Sequence, residues 1–333
     1  MRTTLISSFW GSLAIILIVA GLLFFKASLP MSDNTQPQVF EVKSGMTLKQ
    51  VSQELFRQNL IRSANAFQAI ALIQDKEKLI KVGEYYISPS MLPAEILQRI
   101  TSGKTVLHSI TIPEGYRITE IANLLEEKDL ADKNIFLQQA KNVELLEGIP
   151  TSSLEGYLFP DTYHFGKRTT EAAIINKMVE TFKERALKQE FLKRAGDLGF
   201  SYHEIITLAS LIEKETGKDS ERKQISSVFH NRLKKNMLLQ TDPTVIYAID
   251  IFDGNIRKRD LNIDSPYNTY RYKGLPPGPI ANPGLKSIIA ALYPATTSNL
   301  YFVSKQDGSH KFSATLNEHN RAVQKYQLRK IGR

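Results

Sequence analysis

Two glutamates one residue apart, Glu213 and Glu215, carry the most pointed chemical suggestion in this sequence. They close the stretch Ser-Tyr-His-Glu-Ile-Ile-Thr-Leu-Ala-Ser-Leu-Ile-Glu-Lys-Glu-Thr-Gly at residues 201–217. Ile205, Ile206, Leu208, Ala209, Leu211 and Ile212 recur there at helical spacing, which predicts a buried amphipathic helix ending near Gly217. At about 100° per residue, Glu213 falls beside Ile206 and Ala209, Glu215 falls between Leu211 and Leu208, and Lys214 points away. Each carboxyl therefore borders the apolar stripe. Lost hydration disfavours the charged form, so the pKa rises and the group can remain a proton donor near neutrality, as a general acid must. Periodicity does not choose between the two, and a salt-bridged helix end is the competing structural reading of either.

Few other chemistries fit. The chain of 333 residues has no cysteine, which removes disulfides and thiol nucleophiles. Its six histidines show no metal spacing: His203-Glu204 begins a zincin-like pattern, but Thr207 stands where the second histidine would be, so neither a metal nor a cofactor is expected. Gly103-Lys-Thr105 lacks the upstream glycine of a phosphate-binding loop, and no G-x-S-x-G elbow marks a serine hydrolase. The net charge of +9 suits nucleic acid, an anionic membrane or an anionic polymer. Part of it is ordinary solvated surface, since Arg321, Lys325, Arg329, Lys330 and Arg333 form the polar side of a predicted final helix.

Residues 5–25 contain no charge, and as a helix they rise about 31 Å, enough to cross the hydrocarbon core. The run exceeds a usual signal-peptide core, and Phe25 and Lys26 spoil a small-x-small cleavage site, so an uncleaved anchor is expected. Arg2 favours an N-terminus inside, which places the chain after about residue 30 outside the cytoplasm and makes nucleic acid an unsuitable partner.

After the apolar run, residues 31–38 read as a polar linker. Val39-Phe-Glu-Val42 alternates as a strand, Lys43-Ser-Gly45 turns, and residues 47–55 have helical spacing capped by Thr47. The pattern returns about seventy residues later, at Ile110-Thr-Ile112, Gly115 and residues 118–125, with Gly45 aligned on Gly115 and Leu55 on Leu125. Between the copies, helices are predicted over 64–73 and 93–100 and a strand over 83–87. Further helices are predicted over 134–146, 171–189 and 225–237, with Thr241 or Asp242 as N-cap of another. Residues 153–163 form an aromatic-rich loop carrying Glu155, Tyr157 and Asp161, suited to lining a sugar groove. Proline and glycine (Pro266, Gly274, Pro276, Pro277, Gly278, Pro279, Pro283, Gly284) keep residues 264–284 irregular, and such a segment inside a domain is usually functional. A helix over 285–292, strands over 300–303 and near Phe312, and a helix from about Leu316 complete an α+β chain.

Three stretches occur in order: Glu155-Gly-Tyr-Leu-Phe-Pro-Asp-Thr, Leu208-Ala-Ser-Leu-Ile-Glu213-Lys-Glu-Thr, and Leu239-Gln-Thr-Asp-Pro-Thr-Val. With Tyr267-Asn-Thr-Tyr270, Gly274-Leu-Pro-Pro-Gly278 and the apolar N-terminus, the sequence resembles the MltG (YceG-like) family of endolytic murein transglycosylases over nearly its whole length. Its first strand-turn-helix unit resembles LysM, a module that grips N-acetylated wall sugars. The resemblance implies a cytoplasmic tip and transmembrane anchor at 1–30, a linker at 31–38, a LysM-like module at 39–108 and a mixed α+β catalytic domain at 109–333. It further implies a single-pass protein of the cell inner membrane with a cytoplasmic N-terminus and a periplasmic catalytic domain. The implied reaction cleaves the N-acetylmuramic acid β-1,4 N-acetylglucosamine bond inside nascent peptidoglycan strands without water and leaves a 1,6-anhydro end. Its expected role is to end strand elongation, and peptidoglycan synthases are candidate partners. The family's essential glutamate is carried onto Glu213. Glu155, Tyr157, Gln240, Thr241, Asp242, Tyr267, Asn268 and Thr269 are the expected substrate contacts. A hydrolytic muramidase would need a second carboxylate, for which Glu155, Asp161 and Asp242 are candidates. A protein that binds the wall without cutting it is the other alternative.

Overall fold

The computed structural model describes residues 2–328, with side chains from Trp10 onward. The predicted Arg329, Lys330 and Arg333 of the final helix lie outside the described residues. The chain divides into two compact units, Met1–His108 with His164–Arg168, and Ser109–Tyr163 with Thr169–Arg333.

In the first unit, α1 (Arg2–Ala27) is long and apolar enough to cross a membrane and none of its apolar window is buried, which is compatible with a single-pass anchor. The unit then builds β1 (Gln38–Val42), α2 (Leu48–Arg57), α3 (Ala64–Ile73), β2 (Gly83–Ile87) and α4 (Pro93–Ser102). Strands β1 and β2 pair antiparallel, Phe40 opposite Tyr85. Alternation sends Phe40, Val42, Tyr85 and Ile87 into a core shared with Val51, Leu55, Phe67, Ile96 and Ile100. Residues 30–34, at the start of the predicted linker, are tied to the unit. Pro30 bridges Ile61, Ser32 N–H donates to the Pro89 carbonyl and Ser90 N–H to that of Asn34, while Arg62 Nε bonds the Pro30 carbonyl at 2.6 Å. A polar composition predicts solvation, but backbone groups that find partners are held.

The second unit begins within β3 (His108–Thr111), which pairs with β4 (Thr162–Phe165), a strand not expected at the end of the aromatic-rich loop. Between them lie α5 (Ile118–Glu127) and α6 (Lys133–Gln139). The repeat is visible in the backbone: Gly45 and Gly115 turn at φ 79° and 78°, and Asn59 and Asp129 end the following helices at φ 56° and 54°. The helix predicted over 134–146 is broken. Asn142 accepts from the Glu144 N–H and starts a separate 3-10 turn at Val143–Leu146.

Next come α7 (Glu171–Ala186), α8 (Gln189–Asp197), α9 (Tyr202–Glu215), α10 (Arg222–Lys234), α11 (Asp242–Ala248) and α12 (Leu285–Leu292). The helix predicted over 171–189 stops at Ala186, where Leu187 leaves helical geometry, and α8 was not anticipated. Strands β5 (Tyr301–Ser304) and β6 (His310–Ser313) form an antiparallel hairpin followed by α13 (Leu316–Val323), whose end widens into a π turn at Gln324–Leu328. Helix α9 is central to this unit, packing on α8, α10, α11 and α12. It is opened by a capping box in which Ser201 accepts from the Glu204 N–H and Glu204 from the Ser201 N–H. Residues Ile205 to Ile212 are all buried, which fixes where the acidic end of the helix emerges.

Candidate active site

The two glutamates at the end of α9 meet different surroundings. Glu213 is committed to the frame: its Oε2 accepts the Gly284 N–H at 3.0 Å, at the start of α12, and its Oε1 lies 3.5 Å from Arg222 Nη2, at the start of α10. Both side chains are almost fully covered, and Arg222 also reaches Asp219 at 3.0 Å. Nearby, burial and the charge of Glu213 hold the Glu114 carboxyl above its ordinary value.

Glu215 instead lines a cavity of about 550 Å³ with Arg232, Gln240, Asp242, Tyr270, Tyr301, His310 and His319. Burial pushes its carboxyl upward, and the charge of Asp242 adds to this. A hydrogen bond from the Thr241 hydroxyl, together with His310 and Arg232, pulls the other way. Glu215 shows the rise in pKa predicted for a carboxyl bordering the apolar stripe.

Thr241 occupies the N-cap position of α11 but makes no side-chain cap, because its hydroxyl donates to Glu215. A knot of threonines holds it there. Thr241 N–H donates to Thr269 Oγ1 at 3.1 Å, Thr244 Oγ1 lies 2.9 Å from the same oxygen, and Gln240 N–H donates to the Thr269 carbonyl at 3.1 Å. Gln240 turns through φ 47°, which brings it onto the cavity wall. Asp242 accepts from the Tyr270 hydroxyl at 2.5 Å. Fully buried Asn268 donates to the Leu261 and Ile263 carbonyls and accepts the Tyr270 N–H, which gives the irregular segment its shape.

Of the residues expected from sequence, Gln240, Thr241 and Asp242 come together beside Glu215, with Thr269 and Asn268 behind them. The others gather elsewhere. Tyr157 is fully buried and its hydroxyl lies 2.7 Å from His203 Nδ1, near the start of α9. Tyr267 packs on Tyr247 at 4.8 Å between ring centroids. Glu155 is buried, its Oε1 accepting the Ile118 N–H at 3.1 Å and Asn282 Nδ2 at 3.0 Å, and burial pushes its carboxyl up to about 8. Asp161 accepts the N–H of Thr162, and its carbonyl accepts that of Ile112. Three wall residues have no signal in the sequence pattern: Arg232, Tyr301 and His310. They are contributed by α10 and the β5–β6 hairpin, and no local pattern joins them to the acids. Among the described residues no group of three or more histidines or carboxylates is arranged to hold a metal ion.

The match of the YceG-like family runs from residue 40 to residue 325, most of the chain. The chain belongs to that family. The YceG-like chain is 36% identical over 339 residues to a Bacillus subtilis protein named endolytic murein transglycosylase, with 93% of this chain and 91% of the relative covered. It is 32% identical to a protein of the same name from Streptococcus pneumoniae, in which it spans 61% of the longer relative and 91% of itself is covered. Among solved structures, a 2.6 Å crystal structure of a YceG-like protein from Listeria monocytogenes superposes with a TM-score of 0.59 at 34% identity, covering 86% of this chain and 98% of that one.

Proposed function

We propose that this protein is a membrane-anchored peptidoglycan lytic transglycosylase in which Glu215, rather than Glu213, carries the proton. The observation behind the choice is the desolvated Glu215 carboxyl on the wall of a cavity large enough for sugar rings, beside a hydroxyl donor and an arginine. Glu213 has its oxygens engaged by Gly284 and Arg222. Protonated Glu215 gives its proton to the bridging oxygen as the N-acetylmuramic acid β-1,4 N-acetylglucosamine bond breaks. The muramoyl C6 hydroxyl closes on C1, loses its proton to a base, and leaves a 1,6-anhydro end inside a nascent strand. Gln240 and Asp242, on the cavity wall, contact the glycan in this reading; Thr241, Asn268 and Thr269 support them from behind, and Glu155, Tyr157 and Tyr267 belong to the frame elsewhere in the unit.

The apolar α1 supports anchorage in the inner membrane, with the N-terminus cytoplasmic and the remainder periplasmic, where the wall polymer and its synthases lie. The β1-α2-α3-β2 order of the first unit supports a LysM-like module that tethers glycan. One observation favours a second reading: Asp242 shares the cavity with Glu215 and could activate water, as in a muramidase. Digesting defined glycan strands in labelled water separates the two. Anhydro termini without label are expected, whereas label at new reducing ends would sink the transglycosylase assignment. Glu215→Gln should bind strands without cutting them, and unchanged cutting would remove Glu215 from its role.

A further inference from the structure

We infer that His310 is a second catalytic residue of this site, the base that receives the C6 hydroxyl proton; the inference rests on the transglycosylase reading above. Glu221 grips His310 twice. Its oxygens accept the His310 backbone N–H at 3.0 Å, and its Oε2 lies 2.8 Å from Nδ1. A carboxylate only accepts hydrogen bonds, so the proton of the neutral ring sits on Nδ1 and Nε2 keeps its lone pair. Both side chains are mostly buried, at 12% and 14% exposure, so the imidazole has little room to turn. The ring of Phe302 packs nearly perpendicular to it and that of Phe312 at a tilt, with centroids 5.4 and 6.3 Å away. Carboxylate, oriented imidazole and an open cavity together make the arrangement of a positioned general base.

The backbone is shaped to put His310 there. Gly308 turns the β5–β6 hairpin at φ 78°, and its carbonyl comes so close to Gly217, just beyond α9, that a Cβ at 217 would stand 2.6 Å from it. The hairpin is thereby pressed against the end of the helix that carries Glu215. The charged and titratable groups around His310 come from several elements: Glu221 before α10, Glu215 from α9, Arg232 from α10, Asp242 from α11, Tyr270 from the irregular segment and His319 from α13.

Protons and bonds balance across the reaction. Glu215 gives its proton to the leaving O4 as the C1–O4 bond breaks, Nε2 takes the proton of the C6 hydroxyl as O6–C1 forms, and the imidazolium then returns that proton to the Glu215 carboxylate.

The test measures kcat and KM of the full-length protein on defined glycan strands. His310→Asn keeps a donor for Glu221 and removes Nε2; kcat should fall at least 100-fold with KM and Tm little changed. Added imidazole should restore part of the activity to His310→Ala, which a purely structural histidine would not allow. Should His310→Asn fold poorly, Glu221→Gln serves instead, lowering kcat by loosening the ring. A His310→Asn protein with wild-type kcat overturns the inference, as does failure of imidazole to rescue a folded His310→Ala. Full activity of Glu215→Gln overturns the underlying assignment instead, so the two failures are distinguishable.

Discussion

At the scale of single residues, glutamates two positions apart on one helix take opposite fates because about 200° of rotation separates them. Glu213 is the acid to remove when asking what holds the frame. Glu213→Gln keeps an acceptor for Gly284 but deprives buried Arg222 of a charge, and should cost about 1–3 kcal/mol, read as a lower Tm with turnover retained. Loss of all turnover at unchanged Tm would return the catalytic role to it. Thr241→Val removes the hydrogen bond that pulls the Glu215 carboxyl down, so Glu215 should hold its proton to higher pH. The basic limb of kcat against pH should move upward; a downward move would contradict the geometry. That a carboxyl in Ile212-Glu-Lys-Glu-Thr216 would be desolvated was legible from helical periodicity. Which of the two glutamates lines the cavity depends on Arg232, Tyr270 and Tyr301, contributed by other elements, and no local pattern encodes contacts between residues that far apart.

At the scale of elements, α9, the irregular segment and the two strand-turn-helix units were readable, because burial imposes a helical period and repeated glycine turns leave a spacing in the sequence. The return strand β4 and the break before α8 were not. One is set by pairing with β3 across intervening helices, the other by a few dihedrals at Leu187. A cross-element clasp yields a prediction about pH. Asn282 Oδ1 accepts the Gly156 and Leu158 N–H groups, its Nδ2 donates to the Tyr116 carbonyl and to Glu155, and Glu155 accepts the N–H of Ile118. The Glu155 carboxyl is raised from 4.5 to about 8, so between these values the folded chain holds a proton that the unfolded chain has lost. This stabilising contribution is fully present below about pH 4.5, declines as pH rises, and is gone above about 8. Melting temperatures from about pH 5 to 9 should fall less steeply in Glu155→Gln than in the parent; parallel curves would show that Glu155 is not buried as a neutral acid.

At the scale of the whole molecule, an apolar helix long enough for an anchor was evident from composition, while the docking of residues 30–34 onto the first unit was not. Its partners Ile61 and Pro89 lie tens of residues away in the chain, and a polar stretch carries no period that points to them. A chain lacking residues 1–27 should remain folded and cut glycan in solution, but should leave the membrane fraction on cell fractionation. Retention there would locate a second membrane attachment outside α1.

The ties at Pro30, Ser32 and Asn34 also have a mechanical meaning. They leave no slack between the apolar helix and the first unit, so tension on that unit passes straight into α1 instead of being absorbed by a stretching tether. In a bilayer, a strand under load would tug on the lipid-embedded segment itself, and the unit could not drift from the surface without first tearing those bonds.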